Sequence, residues 1–362
     1  PLGAQQVGIH DGFQYQNFGT QAVLFKYVGP GGAVTMPSFV PTATGPLPVY
    51  QVAAELFKGH AGVTAVTLVP IPALVGDGMF DGCSSLTSVT LPGNLTAIAP
   101  RMFRGCGNLA SVSIPSPVAS IGEEAFRDCS ALTSVTLPAN VTSVGASAFR
   151  NCLRLGSISL PSGLTAIGRF AFASTPVSAL TIPEGVTTLG EGAFSACTAM
   201  TSVTLPSNLA SIPRQLFWRC ESLPTVAIPA GVTTISDEAF QQCDALTSVT
   251  LPSGLTTIGE FAFLGCEVLA APAIPASVTT IQAGAFWGCD AFTGVIIPAT
   301  VTTLGDGVWA DCDHLQHIDV APANPNYRSL GGVLYDKTLS ALLQVPGGKA
   351  GRFVVSSPVQ RI

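Results

Sequence analysis

Ten cysteines and four histidines are the side chains with the widest chemical range in this 362-residue chain. A thiolate can act as a nucleophile, a metal ligand or half of a disulfide. The cysteines stand at 83, 106, 129, 152, 197, 220, 243, 266, 289 and 312, and no two are close enough to make a C-x-x-C pair. That removes the usual signatures of a redox dithiol or a structural zinc site. The histidines are His10, His60, His314 and His317. Only Asp311-Cys312-Asp313-His314-Leu315-Gln316-His317-Ile318-Asp319 gathers several metal-ligand types in one stretch. A spacing of two puts His317 and Asp319 on one face of a strand, while His314 falls before it. A polar surface on one coil explains this stretch better than a metal site does. No nucleophile elbow, H-E-x-x-H helix, Walker loop or dinucleotide fingerprint occurs. The reading is a non-enzymatic chain that needs no cofactor.

Charge is arranged in two rows. An acid directly follows the cysteine in five consecutive units: Glu221, Asp244, Glu267, Asp290 and Asp313. An arginine directly follows an aromatic residue in three: Arg104, Arg127 and Arg150. Stacked like charges repel, so each row suits a counter-ion or an oppositely charged partner. The acidic row would take a basic partner or Ca²⁺, although carboxylates in a line lack the wrapped geometry of a calcium loop. The arginine row would take an anionic glycan or phosphate. Two solvated, salt-screened edges are the plainer account of both. Asn94-Leu95-Thr96 and Asn140-Val141-Thr142 match the glycosylation sequon. Other units carry Gly163, Gly185, Gly231 or Gly254 at that place, so a backbone turn explains the asparagines equally well.

The spacing of these residues identifies the elements that must hold them. Successive cysteines are 23 residues apart except across one gap of 45, where Thr175 stands in for the missing one. An aromatic lies three residues before each: Phe80, Phe103, Phe126, Phe149, Phe194, Phe217, Phe240, Phe263, Phe286 and Trp309. Phe172 keeps the place before Thr175, and Phe57 with His60 extends the series backwards to twelve units. A fixed period of this length is the mark of a solenoid. Within one unit, Ser88-Val89-Thr90-Leu91 alternates polar and apolar residues as a short strand, which Pro92 ends. Leu95 and Ile98 make a second inward pair. The glycine that often follows it, as at 122, 145, 168, 190, 259 and 305, suits a tight corner. A segment such as Glu123-Glu124-Ala125-Phe126 has room for one helical or 3₁₀ turn. Each unit is thus one coil, with inward Leu, Val, Ile, Phe and Cys columns forming a continuous core.

This unit resembles the BspA-like leucine-rich repeats, whose 23-residue consensus is close to C-x-x-L-x-x-I-x-L-P-x-x-L-x-x-I-G-x-x-A-F-x-x, and the match runs from about 44 to 320. The resemblance implies a right-handed coil of short strands joined by short helical or 3₁₀ turns, in about twelve repeats. It also implies secreted or cell-surface proteins, some of them adhesins, and no catalysis. Asn324-Pro325-Asn326-Tyr327 through Tyr335-Asp336-Lys337 resembles the hairpin module found between such arrays, with Gly331 in place of the usual acid.

Three regions are therefore expected: a capping hairpin and strand over 1–43, the array over 44–320, and a hairpin module with the start of a further repeat over 321–362. Val355 to Ile362 aligns with Ile114 to Ile121, so the chain is read as stopping in mid-repeat, and Pro1-Leu2-Gly3 as the remnant of a cleaved tag. The cysteine column points inward and is read as a ladder of buried free thiols. Coils about 4.7–5 Å apart leave some bridging geometrically open.

Composition narrows the partners. Hydrophobic residues make up 47% of the chain, yet no apolar run approaches the ~20 residues of a spanning helix. A net charge of −6 disfavours nucleic acid. A monomer that binds a protein or glycan outside the cytoplasm is the leading reading, with a structural stalk or spacer as the alternative. The outward strand columns are mostly small hydroxyls such as Ser88, Ser111, Ser134, Thr90 and Thr136. They lose this sameness from Ala271 onward. Any protein-binding surface is therefore placed near 264–319, on Trp287, Ile296, His317 and Asp319.

Overall fold

A computed structural model of the chain describes residues 6–74, 76–350, 355 and 359–362. Pro1-Leu2-Gly3, and 356–358 within the stretch in which a further repeat was expected to start, lie outside these residues. The chain divides into two compact units, Pro1–Val177 with Thr188–Gly190 and Ser178–Thr187 with Glu191–Ile362. Each is a β-solenoid.

In the first unit Phe13–Asn17 and Ala22–Tyr27 form the expected hairpin, and Gln6–His10 adds a third antiparallel strand before it. Asp11 and Gly12 both take positive φ, as the two-residue turn between the first two strands requires. Ala22–Tyr27 then pairs parallel with Leu47–Val52, which delivers the hairpin onto the first coil. The rings of Phe13, Tyr27 and Phe57 meet at 4.9–5.7 Å and close that end of the core. Phe39–Val40 adds a small antiparallel pairing with Leu47–Val52.

From there the 23-residue period becomes physical rows. Gly32–Thr35, Val63–Thr67 and Ser88–Thr90 pair in parallel, and Ser111–Val112 pairs with Ser134–Val135. A second parallel ladder joins Ala97–Ile98, Ser120–Ile121, Ser143–Val144, Ala166–Ile167 and Thr188–Leu189. The second unit repeats both ladders. Ala179–Thr181 pairs with Ser202–Thr204, Thr225–Ala227 with Ser248–Thr250, and Gly294–Ile297 with His317–Val320. Its other ladder runs through Ser211–Ile212, Thr234–Ile235, Thr257–Ile258, Thr280–Ile281 and Thr303–Leu304. Tyr327–Leu330, Val333–Asp336 and Leu342–Gln344 end it as an antiparallel meander. Buried Asn324 anchors the meander, its amide donating to the carbonyls of Pro298 and Val301.

The third side of each coil differs from expectation: no segment of the described residues is helical. Each turn carries two left-handed residues four apart, such as Glu124 with Asp128, Ser147 with Asn151 and Glu238 with Gln242. These interrupt the helical path after a single turn. Arg127 N–H donates to Glu124 O and Cys129 N–H to Phe126 O within the coil. The alternate N–H groups of Glu124, Phe126 and Asp128 donate instead to Ala146, Ala148 and Arg150 of the next coil, at 2.7–2.9 Å. A helix would spend those donors internally; here they form a third ladder between coils.

The glycines after the second strand also serve a different purpose from the corner expected of them. Gly122 does not have positive φ, but a Cβ there would lie 2.5 Å from Pro100 N and 2.7 Å from Ala99 C. It is required by the close approach of the preceding coil.

Candidate functional site

All ten cysteines are unbridged and buried. The Cys83 thiol donates to Phe57 O at 3.0 Å, Cys152 to Phe126 O at 3.1 Å and Cys266 to Phe240 O at 3.1 Å, each 26 residues back. Burial is the largest influence on these thiols and pushes Cys83 up to about 11 and Cys152, Cys266 and Cys312 up to about 12. At neutral pH they remain thiols, without the thiolate that nucleophilic or ligand chemistry requires. At the place of the missing cysteine Thr175 donates within its own coil, to Phe172 O at 2.7 Å, and at the first coil His60 Nε2 meets Gly29 O, 31 residues back, at 2.9 Å. The column is a seam between coils.

Hydroxyls do the same work on the surface. Thr87 Oγ1 donates to Thr64 O, Thr165 to Thr142 O, Thr201 to Ser178 O and Thr256 to Thr233 O, all 23 residues back at 2.9–3.0 Å. This row was missed in the sequence, although threonine recurring at one place in the period was its signal. Both sequon asparagines are also engaged: Asn94 Nδ2 donates to Ile71 O and Asn140 Nδ2 to Ser116 O.

In the second unit the strand ladder brings three of the candidate residues together. Gly294 pairs with His317 and Ile296 with Asp319. His317 Nδ1 lies 3.1 Å from Asp319 Oδ2, and its ring covers Gly294, where a Cβ would fall 2.1 Å from His317 Cε1. Beside them Ile296 is 65% exposed. Trp287 is not on this face. It sits in the turn after Phe286, 39% exposed, with its Nε1–H donating to Asp311 Oδ2 at 3.0 Å and its ring 6.4 Å from Phe261. His314 Nδ1 turns to Asp290 O at 3.0 Å. The 311–319 stretch thus spreads over two sides of the coil, and among the described residues no three His, Cys, Asp or Glu side chains converge as a metal site.

The acidic row lies along the same unit. Glu221 pairs with Arg219 at 3.0 Å. Asp244 is raised above the usual carboxylate range by partial burial and then by the charges of Glu221 and Glu267. Asp313 N–H reaches Asp290 Oδ1 at 3.4 Å, while Glu267 stays exposed. The carboxylates remain in file rather than wrapping a point.

The arginine row, in the first unit, is unevenly neutralised. Arg104 grips Asp81 with two bonds of 2.7 and 2.8 Å and reaches Glu124 at 3.0 Å. The Asp81 hydrogen bonds hold the Arg104 guanidinium above its ordinary range. Arg127 pairs with Glu124 and lies 3.4 Å from Asp128. Arg150 instead lies over the ring of Phe170, 5.4 Å from its centre.

A family model described as "BspA type Leucine rich repeat region (6 copies)" matches residues 50–175, 121–247, 165–293 and 233–329. The chain belongs to this family. A leucine-rich cell surface protein from Faecalibacterium prausnitzii is similar in structure, with 28% sequence identity and a TM-score of 0.64 over 88% of this chain and 90% of that one. A leucine-rich repeat protein from Bacteroides ovatus shares the fold at 22% identity and a TM-score of 0.63, over 87% and 95% of the two chains. The pneumococcal vaccine antigen PcpA shares it at 19% identity and a TM-score of 0.53, over 89% and 83%. No curated protein matches the sequence significantly. In these BspA-type repeats the Cys and Phe columns are core, and the strand face and the two turn edges are the exposed surfaces.

Proposed function

We propose that this BspA-type protein is a non-enzymatic recognition or adhesion module, secreted or held at a cell surface, that acts as a monomer and binds a protein through the strand face of 294–319. The observation that carries the reading is Ile296. It stands 65% exposed at a place that small hydroxyls such as Thr204 and Thr250 fill in the same unit, beside the His317–Asp319 pair. An exposed aliphatic side chain with a polar couple beside it fits the apolar centre and polar rim of an interface. Trp287 on the turn edge would extend the contact around the coil. A relative described as a cell surface protein supports the location. The threonine hydroxyls favour a second reading, a stalk or spacer, because they are spent on coil-to-coil bonds rather than offered to a ligand.

Saturation binding to immobilised extracellular matrix proteins separates the two, since a spacer shows no saturable partner. With a partner in hand, Ile296→Ser with His317→Ser is expected to weaken binding, and Ser134→Ala with Thr136→Ala to leave it unchanged. The reverse pattern refutes the placement.

A further inference from the structure

The arginine row stops being neutralised at one coil, and the reason lies in the left-handed turn position. At that position Glu124 serves both Arg104 of the preceding coil and Arg127 of its own. One coil later Ser147 occupies the place, and one coil beyond that, Phe170. Arg150 stands to Ser147 as Arg127 does to Glu124, and to Phe170 as Arg104 does to Glu124, and therefore has a hydroxyl-bearing residue and a ring where a carboxylate would be. Its Nε is buried without a hydrogen-bond partner among the described residues. Arg169 lies over the same Phe170 ring at 5.8 Å, and Arg154 is exposed nearby in sequence beside Leu153, itself 60% exposed. Between Cys129 and Val177 the chain holds these three arginines and no acidic residue, although its net charge is −6.

Phe170 is also a costly choice at its position. Its φ is +53°, a region in which a bulky side chain is strained and glycine, present at 78, is relaxed. What the ring supplies in return is a platform that holds a guanidinium flat and leaves its N–H edge for an anion.

We propose that Arg150, seated on Phe170, is the centre of a binding site for an acidic polysaccharide carrying a carboxylate or sulfate on its sugars. The pitch of the coils favours this over an acidic peptide. Ring centres of Phe126, Phe149 and Phe172 follow one another at 5.2 and 5.3 Å, close to the length of one pyranose unit. An extended peptide presents like-facing side chains only about every 6.6–7 Å. The inference rests on the recognition reading but not on the strand face: loss of either site leaves the other's test standing.

The test is titration calorimetry at low salt with a polygalacturonate oligomer, a heparin tetrasaccharide, polyglutamate and inorganic sulfate. One or both saccharides should bind, and more weakly as salt rises. Arg150→Ala and Phe170→Gly should each weaken that binding about tenfold or more, with Arg150→Lys retaining part of it. Phe170→Gly relieves the backbone, so its loss of binding cannot be ascribed to unfolding. Arg328→Ala removes an equal charge from the other unit and should change affinity by no more than about twofold. Carboxylate and sulfate sources are told apart by which saccharide binds. Absence of binding to both saccharides overturns the proposal. So does equal weakening by Arg328→Ala, or binding of polyglutamate or sulfate as tight as that of the saccharides.

Discussion

Phe149 is fully buried between Phe126 and Phe172, its ring within 5° of parallel to both neighbours. Coil backbones are tied by three ladders, so the surroundings of this ring cannot collapse into the space it would leave. Phe149→Ala is therefore expected to cost about 3–5 kcal/mol, measured by urea unfolding. A loss near 0.5 kcal/mol, the scale of surface changes, would contradict the stacked column. Gly122 makes the opposite demand, for the absence of a side chain. A Cβ there collides with the backbone of the preceding coil, whereas one at Gly93 meets nothing within 4 Å. Gly122→Ala should cost about 1–3 kcal/mol and Gly93→Ala close to nothing, read from the same unfolding curves.

Among the elements, the two strand ladders were legible because alternation of polar and apolar residues has a period of two and nothing else in the unit imitates it. That also placed Ile296, His317 and Asp319 on one face. The turn segment was not legible. Its left-handed positions hold Glu124, Ser147, Phe170, Gln215 and Phe261 as readily as Gly192 or Gly284, so residue type conceals the backbone state. The bonds to the next coil that enforce this state run between residues 22 apart, beyond any local pattern. The same distance hid the isolation of Arg150, since the row of arginines reads as uniform until the facing carboxylates are known. The missing acids between Cys129 and Val177 were the available sign. Gly288 isolates the turn conformation from packing, because its φ is +68° and an added Cβ would meet only an ordinary 3.6 Å contact. Gly288→Ala should cost about 1–2 kcal/mol in thermal unfolding, and a neutral result would show the turn free to relax.

At the scale of the whole molecule the seam of thiols makes stability depend on alkaline pH. Burial, as the largest cause, raises nine thiols distributed over both units, those of Cys83, Cys106, Cys129, Cys152, Cys220, Cys243, Cys266, Cys289 and Cys312. In the unfolded chain each returns to about 8.5. Above that pH the unfolded chain sheds thiol protons that the folded chain keeps, so the folded state binds more protons and its stability falls as pH rises. The contribution is fully present below about pH 8 and drains away toward the folded values of about 11 and 12 at Cys83 and Cys152. One thiol ionised only in the unfolded chain subtracts about 1.4 kcal/mol per pH unit. Nine together approach on the order of 10 kcal/mol per unit, as large as the stability of an ordinary domain. The protein should hold its circular dichroism through neutral pH and lose it cooperatively near about pH 10. Thiolate absorbance should rise in the same step, because the thiols ionise only when the coils open. Cys152→Ala with Cys266→Ala should lower stability at pH 7 and make its fall above about pH 8.5 shallower, by about 1.4 kcal/mol per pH unit for each thiol removed. Thiolate absorbance that climbs from about pH 8.5 with the dichroism intact would mean the column is open to solvent.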